Sequence, residues 1–196
     1  MKKLLLLIPV LFLFACSDET QFGVVQIEGE IPPLLDGKQI TDEFDVAAGL
    51  PAPSATFTNP DKTMTSIDST TGTPKMVFFV AHWCPFCQQE LEDLMKVLQT
   101  EDFSAIETHI VITNTDSTKP NFPADEWIKN LGIAELDNVF IHYDDVSNLA
   151  SIKYGSDRKI PYTLIIDKDG LVLFRAIGSA GIEGLTLNYS ILIQLP

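Results

Sequence analysis

The stretch "FFVAHWCPFCQQE", residues 78–90, places two cysteines three positions apart directly after an apolar run. That run, "MVFFV" at residues 76–80, is continuous in the way expected of a strand buried on both faces. Residues 87–99 then place four apolar side chains at helical spacing and predict an amphipathic helix. Cys84 and Cys87 are therefore predicted at the junction of a buried strand and a helix.

This junction suggests different roles for the two sulfurs. Cys84 is expected at the helix N-cap and Pro85 at the first helical position, where a missing N–H does no harm. The free N–H groups of the first turn would favour negative charge on Cys84, so we predict it to be an exposed, attacking thiolate. Cys87, one turn further on, is expected to be shielded and to resolve the mixed disulfide.

The cysteine pair has two alternative roles, a structural bridge and a metal site. A structural bridge across two residues closes almost no loop, so it would remove little entropy from the unfolded chain. A structural zinc site needs four ligands, and the chain offers only three scattered histidines, His82, His109 and His142. Redox chemistry is the favoured interpretation, and metal binding is the second.

The first sixteen residues are typical of an export signal. A basic "MKK" precedes twelve apolar residues, which are too few to span a bilayer as a helix, since about 20 are needed. Ala15 is a small residue before a cleavage site, and Cys16 follows it in a pattern that resembles bacterial lipoprotein signals. We predict lipid attachment at Cys16; the alternative is an ordinary secretory signal near a cysteine. Export implies an oxidising compartment.

Charge excludes some partners. The chain has 196 residues and a formal net charge of −14. Nucleic acids and anionic lipid surfaces would repel such an acidic protein, so neither is expected as a partner.

The order of elements predicts the fold class. From residue 75 on, predicted strands and helices alternate, and a hairpin around "KDG" at residues 168–170 closes the series. This order predicts an α/β fold with a mixed central sheet flanked by helices. Residues 22–31 predict one or two short strands, and residues 59–74 a turn-rich loop. The tail, residues 185–195, is compatible with helix or strand.

Three landmarks in this order resemble the thioredoxin fold and, within it, the membrane-tethered TlpA/ResA-like branch. They are "GLPAPSATF" at residues 49–57, "WCPFC" at residues 83–87, and "IPYTLIIDKDGLVLFRAIG" at residues 160–178. The resemblance implies a thiol–disulfide oxidoreductase that needs no cofactor besides the redox-active disulfide of Cys84 and Cys87, and no metal. We divide the chain into a signal peptide (1–15), a tether and N-terminal extension (16–45), and a thioredoxin-like domain (46–196).

The resemblance also assigns roles to single residues. Trp83 matches a tryptophan beside the active site, although plain surface packing is an alternative. Pro161 matches a cis-proline that faces the cysteines, with the backbone of Ile160 offered to a bound chain; the alternative is a trans proline opening an edge strand. Glu90 matches a glutamate that could exchange a proton with Cys87, and the alternative is a solvated glutamate in the first helical turn.

The residues around the cysteine pair depart from the thioredoxin pattern in two respects, and His82 needs its own interpretation. Thioredoxin carries a buried acid six residues before its first cysteine, and here that position is Phe78. The dipeptide between the cysteines is Pro85–Phe86, which leaves the direction of electron flow open. His82 is interpreted as an exposed loop histidine rather than as a group that stabilises the thiolate.

The resemblance implies an exported, membrane-tethered enzyme in the periplasm or on the outer surface. It would reduce disulfides of exported proteins, with cytochrome c maturation as one such task, and would draw electrons from an upstream membrane thiol–disulfide donor. A peroxiredoxin is disfavoured because Ala81 stands where that family needs threonine. The remaining alternative is a Sco-type copper-binding assembly factor, for which His142 is the candidate distal ligand.

Overall fold

The computed structural model describes residues 22–34 and 45–194, which form two sheets and four α-helices. The strands are β1 Val24–Glu28, β2 Ser54–Thr58, β3 Met64–Ile67, β4 Lys75–Val80, β5 Glu107–Ile112, β6 Val139–Tyr143, β7 Tyr162–Ile166 and β8 Val172–Ile177. The helices are α1 Pro85–Thr100, α2 Ala124–Leu131, α3 Leu149–Lys153 and α4 Gly181–Gln194, with a 3-10 turn at Ile133–Glu135.

The central sheet has the strand order β6-β5-β4-β7-β8. Strands β4, β5 and β6 run parallel, whereas β7 is antiparallel to β4 and β8 is antiparallel to β7. Every residue of β4 is buried, as expected for a central strand covered on both faces. The mixed sheet and its flanking helices confirm the predicted thioredoxin-like α/β class.

Each face of the central sheet has its own hydrophobic core. One core contains Met76 and Phe78 of β4 together with side chains of α1, α2 and α4. The other contains Val77 and Phe79 with side chains of β1, β2, β3 and α3. The alternation along β4 sends neighbouring side chains to opposite cores, and the cysteines belong to the α1 side.

The N-terminal residues that the structure describes pack onto the rest of the fold. Strand β1 pairs antiparallel with β2, which confirms a strand within residues 22–31. The Ile31 N–H donates to the Lys153 carbonyl at 3.0 Å, and the Leu34 N–H to the Gly155 carbonyl at 2.8 Å. The signal peptide and Cys16 lie outside the described residues, and the division at residue 45 stays a prediction.

The structure corrects the predicted secondary structure of one segment and decides that of another. Residues 59–74 were expected to be loop but contain β3, which pairs with β2. The sequence "MTSI" lacks the apolar pattern typical of a strand, because only Ile67 is fully buried. Thr65 instead forms a hydrogen bond with the buried His142. The ambiguous tail is the helix α4, whose buried side chains Leu185, Tyr189 and Leu192 follow helical spacing.

None of the helices within residues 22–34 and 45–194 combines the length and the apolar character needed to cross a bilayer.

Candidate active site

The cysteine pair lies where β4 leads into α1, as predicted. Cys84 is the N-cap residue and Pro85 occupies the first helical turn. The backbone N–H of Cys87 donates to the Cys84 sulfur at 3.4 Å. Both cysteines are free thiols. The sulfur of Cys84 thus accepts one of the N–H groups that a helix N-terminus leaves unpaired, a placement that favours negative charge on it.

The two thiols differ in environment. Cys87 is fully buried, as expected, whereas Cys84 is only 6% exposed, so the prediction of an exposed Cys84 is wrong. Cys84 is covered because it belongs to the α1-side core, against which Trp83 and Ile160 also pack. Burial raises the pKa of Cys87, and its hydrogen bond with Cys84 and the nearby charges of Cys84 and Glu90 raise it further.

Pro161 lies at the same edge of the sheet as the cysteines. Phe79, the residue before the end of β4, pairs with Tyr162 at the start of β7, so Pro161 is next to the point where β4 leaves the sheet. The Ile160–Pro161 peptide bond is cis, and the trans alternative is therefore wrong. The assigned role of Pro161 in partner binding stays a prediction.

Glu90 is fully buried, so the alternative of a solvated glutamate is wrong. Its Oε2 accepts hydrogen bonds from the Ser179 hydroxyl at 2.6 Å and from the Ala180 N–H at 2.9 Å, just before α4 begins. Its Oε1 is buried and has no hydrogen-bond partner among residues 22–34 and 45–194. Burial raises the pKa of Glu90, although the bonds from Ser179, Ala180 and Gly181 partly offset the rise.

The sequence does contain a signal for the burial of Glu90. Position 90 lies three residues after Cys87 and four before Leu94, on the stripe of α1 that faces the core. A glutamate inside an apolar stripe is a departure from helical amphipathicity, and such departures accompany functional groups.

Trp83 connects the cysteine loop to the loop before Pro161. Its indole N–H donates to the Asn114 carbonyl at 2.8 Å. The Asn114 side chain donates in turn to the Arg158 carbonyl at 3.1 Å, and its N–H donates to the Asn148 side chain at 2.8 Å. Asn114, which sequence reasoning missed, thus joins three loops at this edge of the sheet. It has φ of 51°, a conformation in which asparagine is enriched.

His82 is fully buried, which contradicts the interpretation of an exposed loop histidine. Its ring is covered because both nitrogens bond to the backbone of residues 116 and 120, in the loop between β5 and α2. That loop is more than 30 residues away in sequence, so no local pattern around His82 could have predicted the contact.

His142 lies on the opposite side of the sheet from the cysteines. It pairs in register with Val111, and its ring packs 4.6 Å from that of Phe57; both neighbours belong to the core on the far face. Its Nε2 is 2.9 Å from Nδ1 of His109. No group of three or more His, Cys, Asp or Glu within the described residues could hold a metal ion. The copper alternative therefore loses the distal histidine that it required.

The fold and the cysteine pair at the start of α1 define an oxidoreductase of the thioredoxin-like class. The Redoxin family profile matches residues 47–185, which is most of the chain, so the protein belongs to the Redoxin family. No curated protein matches the sequence significantly.

Solved structures share the fold at low sequence identity. A thiol:disulfide interchange protein of the thioredoxin family from Chlorobium tepidum TLS is 22% identical, with a TM-score of 0.55 over 76% of this chain and 99% of that chain. The thioredoxin domain of a thiol-disulfide oxidoreductase from Bacteroides vulgatus is 16% identical, with a TM-score of 0.56 over 76% and 100% of the two chains. A peroxiredoxin-like protein from Aquifex aeolicus is 17% identical, with a TM-score of 0.54 over 74% and 86%.

The contrast between the two thiols is testable by alkylation. In the reduced, folded protein near pH 7, iodoacetamide should modify Cys84 at least about tenfold faster than Cys87. Cys84 keeps a small exposed fraction and its sulfur accepts an N–H, whereas Cys87 is completely buried and its pKa is raised. Peptide mapping by mass spectrometry reports the two rates separately. In guanidinium the rates should converge, which provides the control. Equal rates in the folded protein would contradict the assigned roles of attacking and resolving thiol.

Proposed function

We propose that the protein is an exported, lipid-anchored thiol–disulfide oxidoreductase that reduces disulfides of exported proteins through Cys84 and Cys87. The observation that carries this proposal is the arrangement of the two cysteines. The Cys84 sulfur caps α1, and Cys87, one turn further on, is fully buried. The backbone N–H of Cys87 donates to the Cys84 sulfur at 3.4 Å. A nucleophile and a resolving group in this order suit two-step disulfide exchange.

The reaction transfers two electrons to the substrate. The Cys84 thiolate attacks one sulfur of the substrate disulfide, a new S–S bond forms, and the second substrate sulfur leaves as a thiolate that takes up a proton. Cys87 then loses its proton and attacks the Cys84 sulfur, which releases the first substrate sulfur as a thiolate that is protonated in turn. The substrate ends as a dithiol and the enzyme as a Cys84–Cys87 disulfide. An upstream membrane dithiol donor returns the enzyme to its reduced form.

Glu90 is the group best placed to accept the Cys87 proton. The raised pKa of Cys87 means that a thiolate forms there only with a proton acceptor nearby. Glu90 lies three residues on, on the same buried side of α1, and its Oε1 has no other partner among the described residues. Its own raised pKa brings it closer to neutral pH, where acid–base groups work best.

Export and anchoring are supported by the sequence before the described residues. The basic start, the short apolar run and Ala15 before Cys16 are the features of a processed lipoprotein signal. Such an anchor would leave the domain in the periplasm or on the outer surface, where disulfides persist and partners are exported proteins. Apocytochrome c is one candidate partner, by analogy with the TlpA/ResA-like branch.

The central experiment is to trap partners in cells. A Cys87→Ala variant should accumulate mixed disulfides on Cys84, because the second step lacks its attacking thiol. Diagonal gels and mass spectrometry would identify the partners. The double variant Cys84→Ala, Cys87→Ala is the matched control and should trap nothing. Absence of thiol-sensitive adducts, together with failure of the wild-type protein to reduce insulin, would refute the proposed function.

Replacing Glu90 tests the proton acceptor. In the wild type, release of a peptide from a Cys84 mixed disulfide should accelerate as pH rises through the raised pKa of Glu90, because only the ionised carboxylate accepts the Cys87 proton. Glu90→Gln should remove this dependence and slow release by about a hundredfold, the lower edge of the usual effect of acid–base groups. Single-turnover kinetics across pH measure both effects.

The control for this variant is Glu92→Gln. Glu92 is an exposed glutamate on the same helix, so its replacement makes the same chemical change without touching the buried side of α1. An identical pH–rate profile for wild type and Glu90→Gln would remove Glu90 from the reaction.

Lipid attachment is tested separately. Cells fed labelled palmitate should incorporate the label into the wild-type protein, and the protein should partition into detergent. Cys16→Ala should abolish both, since it removes the only cysteine next to the cleavage site. Cys84→Ala should keep both and serves as the control. An unlabelled, freely released wild-type protein would overturn the anchor and leave the redox chemistry untouched.

A further inference from the structure

We propose that His82 is a positioning residue that holds the loop of residues 114–123 beside Cys84, and that this loop sets the affinity for polypeptide disulfides. The inference rests on the proposed function, because it concerns the substrates of that reaction. It assigns a task to a buried histidine that the exchange chemistry itself does not use.

The ring of His82 bridges two points of this loop. Its Nδ1 is 2.7 Å from the Pro120 carbonyl oxygen, and its Nε2 is 3.2 Å from the Asp116 backbone nitrogen. A carbonyl oxygen can only accept and an N–H can only donate, so Nδ1 carries the proton and Nε2 is bare. The buried ring is therefore neutral, with its tautomer fixed by the loop. It supplies no positive charge to the Cys84 sulfur.

The backbone of His82 reinforces the same connection. Its carbonyl oxygen accepts hydrogen bonds from the Asn121 side chain at 3.0 Å and from the Gln88 side chain at 3.1 Å. At the other end of the loop, Asn114 accepts the indole N–H of Trp83. The two residues directly before Cys84 thus hold the loop at both ends and in the middle, and tie it to the first turns of α1.

The loop presents an aromatic side chain against His82, two residues before the reactive cysteine. The ring of Phe122 packs edge-on against that of His82, with centroids 5.9 Å apart, yet the residue remains 37% exposed. Phe86, between the two cysteines, is 70% exposed. We expect a polypeptide that delivers a sulfur to Cys84 to contact both of these exposed aromatic side chains. A small disulfide is expected to need neither contact.

This difference between substrates gives a sharp test. His82→Leu fills the buried position with an apolar side chain and removes both ring hydrogen bonds. The KM for insulin should rise about tenfold, which is what the loss of one or two net hydrogen bonds produces. The kcat for insulin, and the second-order rate with 2-hydroxyethyl disulfide, should stay within about twofold. Thermal melting verifies that the variant is folded.

Two conservative variants keep the test decisive if His82→Leu misfolds. His82→Asn retains a donor close to the position of Nδ1, and His82→Gln retains an acceptor close to that of Nε2. Each should therefore raise the insulin KM above that of the wild type, but by less than the tenfold expected when both bonds are lost. A residue that served only global stability would lower kcat and the rate with small disulfides as well, and such a parallel loss would overturn the proposal.

Phe122→Ala completes a double-mutant cycle with His82→Leu. If His82 acts by holding Phe122 in place, the alanine change should raise the insulin KM in the wild-type background and add little in the leucine background. Fully additive effects, or an unchanged KM in His82→Leu, would refute the inference. Failure of the wild-type protein to reduce either disulfide would instead refute the proposed function, so the two failures are distinguishable.

Discussion

The hydrogen bond from the Cys87 N–H to the Cys84 sulfur is the constraint on which the rest of the site depends. It forms only if α1 begins at Pro85, and α1 begins there because the fully buried β4 ends five residues earlier. A strand covered on both faces cannot shift without exposing both cores. The position of the Cys84 sulfur is therefore fixed by the packing of the whole central sheet. In the proposed reaction, the atom that caps the helix is also the nucleophile.

In the proposed mechanism, the burial of Cys87 on α1 also means that its proton needs a nearby acceptor. Cys87 and Glu90 are buried on one side of α1, and a negative charge on either raises the cost of a charge on the other. Moving a proton from Cys87 to Glu90 leaves the total charge of the pair unchanged, so it avoids placing a second buried charge. The N–H of Ala180 and the hydroxyl of Ser179 stabilise the ionised glutamate before the proton arrives. In the proposed mechanism, the residues at the start of the C-terminal helix thus contribute to the chemistry of α1.

The sequence could predict the parts of this arrangement that follow from short-range patterns. The apolar run of β4, the N-cap position of Cys84, the shielding of Cys87 and the hairpin at Gly170 each depend on neighbours within a few residues. The errors share a different origin. His82 is buried by a loop more than 30 residues away. Glu90 could be singled out from its position on α1, but the groups that bond it lie at the start of α4, about 90 residues on. Strand β3 is held by pairing with β2, not by its own polar sequence. Each depends on tertiary contacts that local propensity does not encode.

His109 and His142, on the far side of the sheet from the cysteines, bear on which group could accept the Cys87 proton. The pKa of Glu107 is lowered, first by its hydrogen bond with His109 and also by Lys75. The ionised carboxylate therefore accepts a hydrogen bond from Nε2 of His109 at 3.2 Å. Nδ1 of His109 must then accept from His142, and Nδ1 of His142 accepts from the Thr65 hydroxyl at 2.8 Å.

Burial lowers the pKa of both far-side histidines, which agrees with two neutral rings. His82 is neutral as well, since its Nε2 accepts an N–H. All three histidines of the chain are thus committed to neutral, structural hydrogen bonds, and Phe78 stands where thioredoxin keeps its buried acid. This leaves the proposed proton transfer at Cys87 with the one buried carboxyl on its own helix face that has an unpaired oxygen among the described residues, Glu90.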